Sequence, residues 1–264
     1  MITLGTFNLR VDQKIDGRKS FSHRKQSIVE KFSSELPVVM GLQEVNDNMM
    51  AYLKTALPQY AFLGSGRNKD RTGEHSPIVY LKEELSLEDF DTFWLSPKPD
   101  QPGSRYLWQS PYPRICTWAT FYHPKSQTRF RIYNTHFDHL SPYARRKSLF
   151  QILSFILAHQ KTDPLPFFFL GDLNYNPLKT KYGSLFLSAL SLQNVAKELT
   201  YTFHGFRKKK GIRTVDYIFT NIKKASFPLD LWEKSPEGDF LSDHRGLVIA
   251  WNISRFSAQH TPEE

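Results

Sequence analysis

The chain has 264 residues, 40% of them hydrophobic and 14% aromatic, and carries 35 Lys and Arg against 26 Asp and Glu, a net charge of +9. That apolar content excludes a disordered chain, and no stretch approaches the roughly 20 uninterrupted apolar residues of a membrane span. The single cysteine, Cys116, excludes an intramolecular disulfide framework, and the basic balance favours polyanionic partners: nucleic acid, anionic lipid or phosphorylated metabolites.

The opening residues, MITLGTFNLR, alternate as a strand over 2–8 and lack the basic region and cleavage site of a secretory signal. Together with the lone cysteine they set the expectation of a reducing, cytoplasmic location and no stable membrane insertion. Residues 22–35 place Ile28, Val29 and Phe32 at helical spacing, and short apolar strands follow at 38–43, 60–63 and 76–81. PKPDQPG at 97–103 is a long loop rather than a linker, because strand patterns continue on both sides. Strands at 114–122 and 129–135 form a hairpin. A helix over 142–159 follows, with Ser141 as N-cap, Pro142 in its first turn, and Leu149, Ile152, Leu153, Ile156 and Leu157 on one face. The last strands are 166–171, 214–220 and 245–253. FRKKKGIR at 206–213 reads equally as a solvated loop or a polyanion contact. No repeat or low-complexity tract interrupts the pattern, so one α/β or α+β domain over 1–264 is expected, with sheets covered by helices.

Many of these strands end in, or adjoin, polar residues of a catalytic type. Asn8 ends the first, Gln43 and Glu44 the second, Glu74 in GEHSPIVY stands just ahead of its strand, and Arg114 in YPRICTW opens one. NTHFDHL delivers His136, Asp138 and His139, GDLN delivers Asp172 and Asn174, DYIF begins with Asp216, and SDH holds Asp243 and His244. Any one alone reads as a turn residue or a solvated charge. Together, at strand ends, they are costly unless they pair or bind metal. A hard oxygen donor such as Glu44, helped by Asn8, suits Mg2+. Attack of water on phosphorus needs a base, neutralisation of the non-bridging oxygens and help for the leaving oxygen. Asp172, His136, His244, Arg114 and Asn174 are chemically able to fill those roles, with Glu74 and Asp216 available to orient the two histidines.

Asn8, QEV at 43–45, Arg114, NTH at 134–136, GDLN at 171–174, DYIF at 216–219 and SDH at 242–244 resemble, in order and spacing, the endonuclease/exonuclease/phosphatase superfamily. The GEHSPIVY, FWLSPKP and PRICTW stretches resemble one bacterial branch of it. The resemblance implies a DNase I-like four-layer sandwich: two packed mixed β-sheets flanked by helices, with the site at one edge of the pair. It implies Glu44 as principal Mg2+ ligand (Mn2+ as a substitute), with Asn8 beside it and Asp243 helping to position the metal. It implies Asp172 activating the water, Asn174 on the phosphoryl group, and His136 and His244 flanking the scissile phosphate. Glu74 then orients His136, Asp216 orients His244, and Arg114 binds a phosphate oxygen.

The charge and the 206–213 loop favour a nucleic-acid phosphodiester as the substrate. The alternative is a phosphatase, or a sphingomyelinase-like phospholipase C-type enzyme, acting on an inositol phosphate or lipid head group. Arg10 stands where the abasic-site endonuclease branch carries an acidic residue, which argues against that branch. A binding module that has lost catalysis is disfavoured because no catalytic position is missing. A zinc hydrolase centred on 136–139 is weakened by Asn134, which occupies the first histidine of an H-x-H-x-D-H pattern. On strand parity Asp138 shares the face of His136, while His139 is expected to be structural. Cys116 is expected to pack. Phe93, Trp94, Tyr106 and Trp108 are read first as packing residues and second as base-stacking ones.

Overall fold

The computed structural model describes residues 1–207, 211–223 and 225–253. Residues 208–210, the centre of the basic 206–213 stretch, lie outside them.

Parity explains the layers. In β8 (Phe167–Asp172) the run FFFLGD is buried on both faces. Phe168 and Leu170 pack toward a second sheet, and Phe167 and Phe169 pack toward a helix. A strand buried on both sides reads as an unbroken apolar run. The same alternation holds in β1 (Ile2–Asn8) and β2 (Val39–Gln43): Leu4 and Val39 face between the sheets, and Phe7, Met40 and Leu42 face outward. One sheet has the order β11 (Leu229–Trp232), β12 (Gly246–Trp251), β1, β2, β4 (Ile78–Leu81), β3 (Tyr60–Leu63). The other has β5 (Ser86–Trp94), β6 (Ile115–His123), β7 (Thr128–His136), β8, β10 (Asp216–Thr220), β9 (Gln193–Asn194).

Each sheet is antiparallel apart from one parallel pair, β1–β2 in the first and β7–β8 in the second. Parallel neighbours need a crossover. The helices α1 (Phe21–Glu35) and α3 (Pro142–Thr162) supply it and cover the outer faces, joined by α2 (Asp47–Ala56) and α4 (Lys181–Ala189). Ile28, Phe32 and Leu53 pack on one sheet, and Leu149, Ile152, Ile156 and Leu187 on the other. The expected four-layer sandwich of two mixed sheets flanked by helices is therefore the fold. The sheets approach closely at Gly41, where a Cβ would collide with Leu170 and the Asn134 side chain. Among the described residues no helix is long and apolar enough to cross a membrane.

Three strands had no counterpart in the sequence reading: β5, β9 and β11. All three are sheet edges. The first residues of β5, SLEDFD, are mostly exposed, so they lack the apolar signature of a central strand. The unanticipated α2 is capped by Asn46, whose side chain accepts from Met49 N at 3.0 Å. The 142–159 helix extends to Thr162, and Ser141 caps it through Ala144 N.

Candidate active site

Between the sheets the inward-facing residues change from apolar to polar toward one end. Along β7 the order is Phe130, Ile132, Asn134, His136, and along β8 it is Phe168, Leu170, Asp172. Asn134 seals the boundary: its Nδ2 donates to the carbonyls of Leu42 and Pro77, each at 2.9 Å, and its Oδ1 accepts from Gln43 Nε2 at 2.7 Å. Beyond it, register brings the chemistry together. His136 lies opposite Asp172 across β7–β8, and Asp172 lies opposite Asp216 across β8–β10.

Asn8 bridges the sheets. Its Nδ2 donates to Glu44 Oε1 and to Asp172 Oδ2, each at 3.0 Å, while its oxygen accepts from Arg10 N. Asn8 thus positions two carboxylates, and its amide oxygen, accepting one bond from Arg10 N, retains a second lone pair next to Glu44. The other Glu44 oxygen accepts from Val11 N at 2.9 Å. Glu44 and Asn174 take left-handed backbone angles, φ 61° and 56°. Such conformations cost non-glycine residues energy and cluster at functional sites. Asp172 Oδ1 accepts from Asn174 N at 2.8 Å. Asn174 Nδ2 donates to His136 Nε2 at 2.9 Å, which leaves the proton of the neutral ring on Nδ1.

His244 completes the cluster. Its Nδ1 is 2.8 Å from Asp216 Oδ2, and its Nε2 is 3.8 Å from Asp172 Oδ2. The Phe203 ring lies 4.8 Å from the imidazole. Ser242 Oγ donates to the Asn8 carbonyl at 2.6 Å, tying the SDH segment to β1. The cleft over these groups holds about 420 Å³, and its walls include Arg10, Arg67, Arg114, Arg213, Tyr112 and Asp243.

The two histidines are driven in opposite directions. Burial disfavours a charged His244, but Asp216 outweighs it and raises the pKa to about 10. His136 is pushed well below the ordinary value by burial and by the Arg114 and Arg67 guanidiniums. Burial and the charge of Asp216 push Asp172 up to about 7. Burial also raises Asp243. Glu44 is held below the usual carboxylate range, because the bonds from Val11 and Asn8 overcome its burial. The arrangement thus offers an imidazolium, a neutral imidazole and a carboxyl poised near neutral pH within a few ångströms.

The His244 shift has a stability consequence. Stability from a raised histidine pKa is complete below the unfolded value near 6.5 and is lost as pH rises through about 10. With a chelator present, the Tm is expected to fall by at least about 5 °C between pH 7 and about 10. His244→Gln should flatten that slope, and a variant as steep as the parent would refute the assignment.

Glu74 does not orient His136. It pairs bidentately with Arg67, at 2.7 and 2.8 Å, and lies 4.0 Å from Arg114, while His136 Nδ1 has no protein partner among the described residues. Arg67 and Arg114 compete with His136 for the carboxylate, and they win because they are permanently charged. His139 is not a purely structural residue. It lines the cleft, its Nδ1 3.3 Å from Arg114 Nη2. Asp138 is fully buried and turned away; it accepts from Leu140 N at 3.0 Å, Ser141 N at 2.6 Å and Ser110, holding the entry to α3. Sequence reading missed Arg67 at the cleft, since nothing around it distinguishes it from a surface arginine, whereas Arg213, which also lines the cleft, closes the basic 206–213 stretch.

The carboxylate-rich donor set fits a hard divalent cation. Ligand atoms of Glu44, His136 and Asp172 lie within 4.8 Å of one another, and so do those of Asp172, Asp216 and His244. His244 Nδ1 is committed to Asp216 and His136 Nε2 accepts from Asn174, which leaves the Glu44 carboxylate, rather than either imidazole, as the fitting donor. Neither group includes Asp138 or His139, so the 136–139 zinc centre does not form among the described residues.

The family model described as Endonuclease/Exonuclease/phosphatase family matches residues 5–244. No curated protein matches the chain in sequence. Among solved structures, the chain is similar to an endonuclease/exonuclease/phosphatase from Bacteroides vulgatus at 28% identity and TM-score 0.84, covering 94% of this chain and 97% of that one. It is similar to a mannosyl-6-phosphatase from Bacteroides thetaiotaomicron at 25% identity and TM-score 0.84, covering 95% and 99%. The human Nocturnin catalytic domain shares the fold at 20% identity and TM-score 0.70, covering 94% and 93%.

Proposed function

This chain belongs to the Endonuclease/Exonuclease/phosphatase family and is thereby a metal-dependent phosphoester hydrolase; from that premise we propose that it uses Mg2+ to hydrolyse a phosphomonoester of a small molecule. The observation that carries the chemistry is the convergence of Glu44, Asp172, His136 and His244 at one end of the two sheets. Glu44 is the residue to hold the cation, with Asp243 across the cleft. When bound, the cation neutralises phosphoryl oxygens and the charge that develops on them. Mn2+ shares the preference for oxygen donors and is expected to substitute.

The chain's own residues supply the rest. Asp172, with a pKa near neutral, is placed to take the proton of the attacking water. Asn8 and the Asn174 N–H hold its two oxygens in place. His244, an imidazolium at neutral pH, aims Nε2 at the same centre and stabilises negative charge as it grows. His136 flanks the phosphoryl position as a neutral ring. Arg67, Arg114 and Arg213 line the walls and balance the anionic substrate.

Two observations support a small substrate. The cleft, at about 420 Å³, falls in the size range of small-molecule sites. The mannosyl-6-phosphatase likeness also extends over nearly the whole of both chains. The reading of nucleic acid as substrate keeps one favouring observation: four arginines line the cleft of a chain with net charge +9.

A substrate panel decides between them. With Mg2+, phosphate release from hexose 6-phosphates or 4-nitrophenyl phosphate is expected to exceed, in kcat/KM, the hydrolysis of bis(4-nitrophenyl) phosphate and of oligonucleotides by at least about tenfold. Faster cutting of oligonucleotides would replace the small substrate with a nucleic acid.

A further inference from the structure

We propose that the face formed by the N-terminal ends of α3 and α4 and the 104–113 loop docks on an anionic membrane surface, with the catalytic cleft at its border. The inference is independent of which phosphoester is cleaved. Leu107, Trp108, Leu140, Leu178, Tyr182 and Leu185 are each between 45% and 74% exposed. Ring contacts link the pieces: Trp108 lies 5.7 Å from Tyr143, and Arg146 lies 5.2 Å over Tyr182. Between the helices is a groove of about 470 Å³ whose walls include Tyr143, Arg145, Leu149 and Tyr175. Scattered apolar residues on a surface mean little, but a contiguous set rimmed by charge marks an interaction site.

Charge complementarity selects the occupant. Residues 104–113, 139–162 and 173–192 contain no Asp or Glu, whereas Arg105, Arg145, Arg146, Lys147, Lys161, Lys179 and Lys181 fall within them. Exposed leucine with tryptophan and tyrosine, interspersed with Lys and Arg, is the composition that settles at the headgroup boundary. Leucines offer no π face to a nucleobase and gain only by leaving water, so the aliphatic share favours lipid over single-stranded nucleic acid.

The face also adjoins the catalytic centre. Tyr175, in the groove, follows Asn174, and Arg145 Nη1 donates to the Asp138 carbonyl at 3.0 Å, one residue before cleft-lining His139. A docked chain therefore presents the cleft close to the lipid surface.

Flotation of the full chain with vesicles tests the proposal. Binding is expected to vesicles of phosphatidylcholine containing about one-third phosphatidylglycerol, and to weaken on phosphatidylcholine alone. Arg146→Glu with Lys181→Glu should weaken binding by at least about tenfold, given about fivefold per cation lost. Trp108→Ala should weaken it too, while 4-nitrophenyl phosphate turnover stays at the parent level in both. Absence of binding by the unsubstituted chain, or equal binding by folded variants with parental Tm, would overturn the proposal. So would variants that keep vesicle binding and lose oligonucleotide binding, which would assign the face to nucleic acid.

Discussion

His244→Gln is expected to lower kcat by about 10³-fold with little change in KM, measured on the best substrate of the panel at saturating Mg2+. The imidazole is 5% exposed, held by Asp216 at 2.8 Å and aimed at Asp172. Glutamine fills similar space and can still hydrogen-bond, but it carries neither a charge nor a transferable proton. The loss should therefore appear in kcat, as for a group acting on charge that develops in the transition state. Asp216→Asn is the informative companion. It leaves the ring in place and removes the main source of the raised pKa. With that support gone, the pKa moves down toward the ordinary value of about 6.5. Activity at pH 8 should then fall, and part of it should return at pH 6, where the ring is protonated again. A variant equally impaired at both pH values would show that Asp216 acts by position rather than by charge.

Glu44→Gln is the second large effect. At millimolar Mg2+ the rate should fall by at least about 10³-fold, with partial recovery as Mg2+ is raised. Glutamine can keep the bond from Val11 N, so the loop is retained while the anionic donor is lost. The independent readout is stability. Mg2+ should raise the Tm of the parent chain, since a ligand bound only by the folded state stabilises it by mass action. That rise should be absent, or shifted to much higher Mg2+, in Glu44→Gln. An unchanged Mg2+-dependent rise would move the cation away from Glu44.

The fold was legible where burial leaves a signature in sequence. Both faces of β8 are covered, so FFFL stands out, and α3 shows its apolar stripe because one side lies on a sheet. The edge strands β5, β9 and β11 were invisible for the complementary reason. An edge strand owes its pairing to a neighbour distant in sequence, and a half-exposed strand needs no apolar pattern of its own.

The residues that converge at the candidate site were readable from local motifs. Glu44, His136, Asp172, Asn174, Asp216, Asp243 and His244 all sit at strand ends, where short polar runs interrupt apolar ones, and Arg114 opens a strand beside them. Sequence by itself thus determined the layered fold, the family and the cast of the site, because alternating burial and short motifs are written in neighbouring residues. Only tertiary structure decided the partnerships. Register set Asp172 between His136 and Asp216, two arginines drew Glu74 away from His136, and the end of β7 turned His139 into the cleft and Asp138 out of it. Those outcomes depend on charges and donors that meet across strands far apart in the chain, where electrostatic competition, and not local pattern, selects the pair.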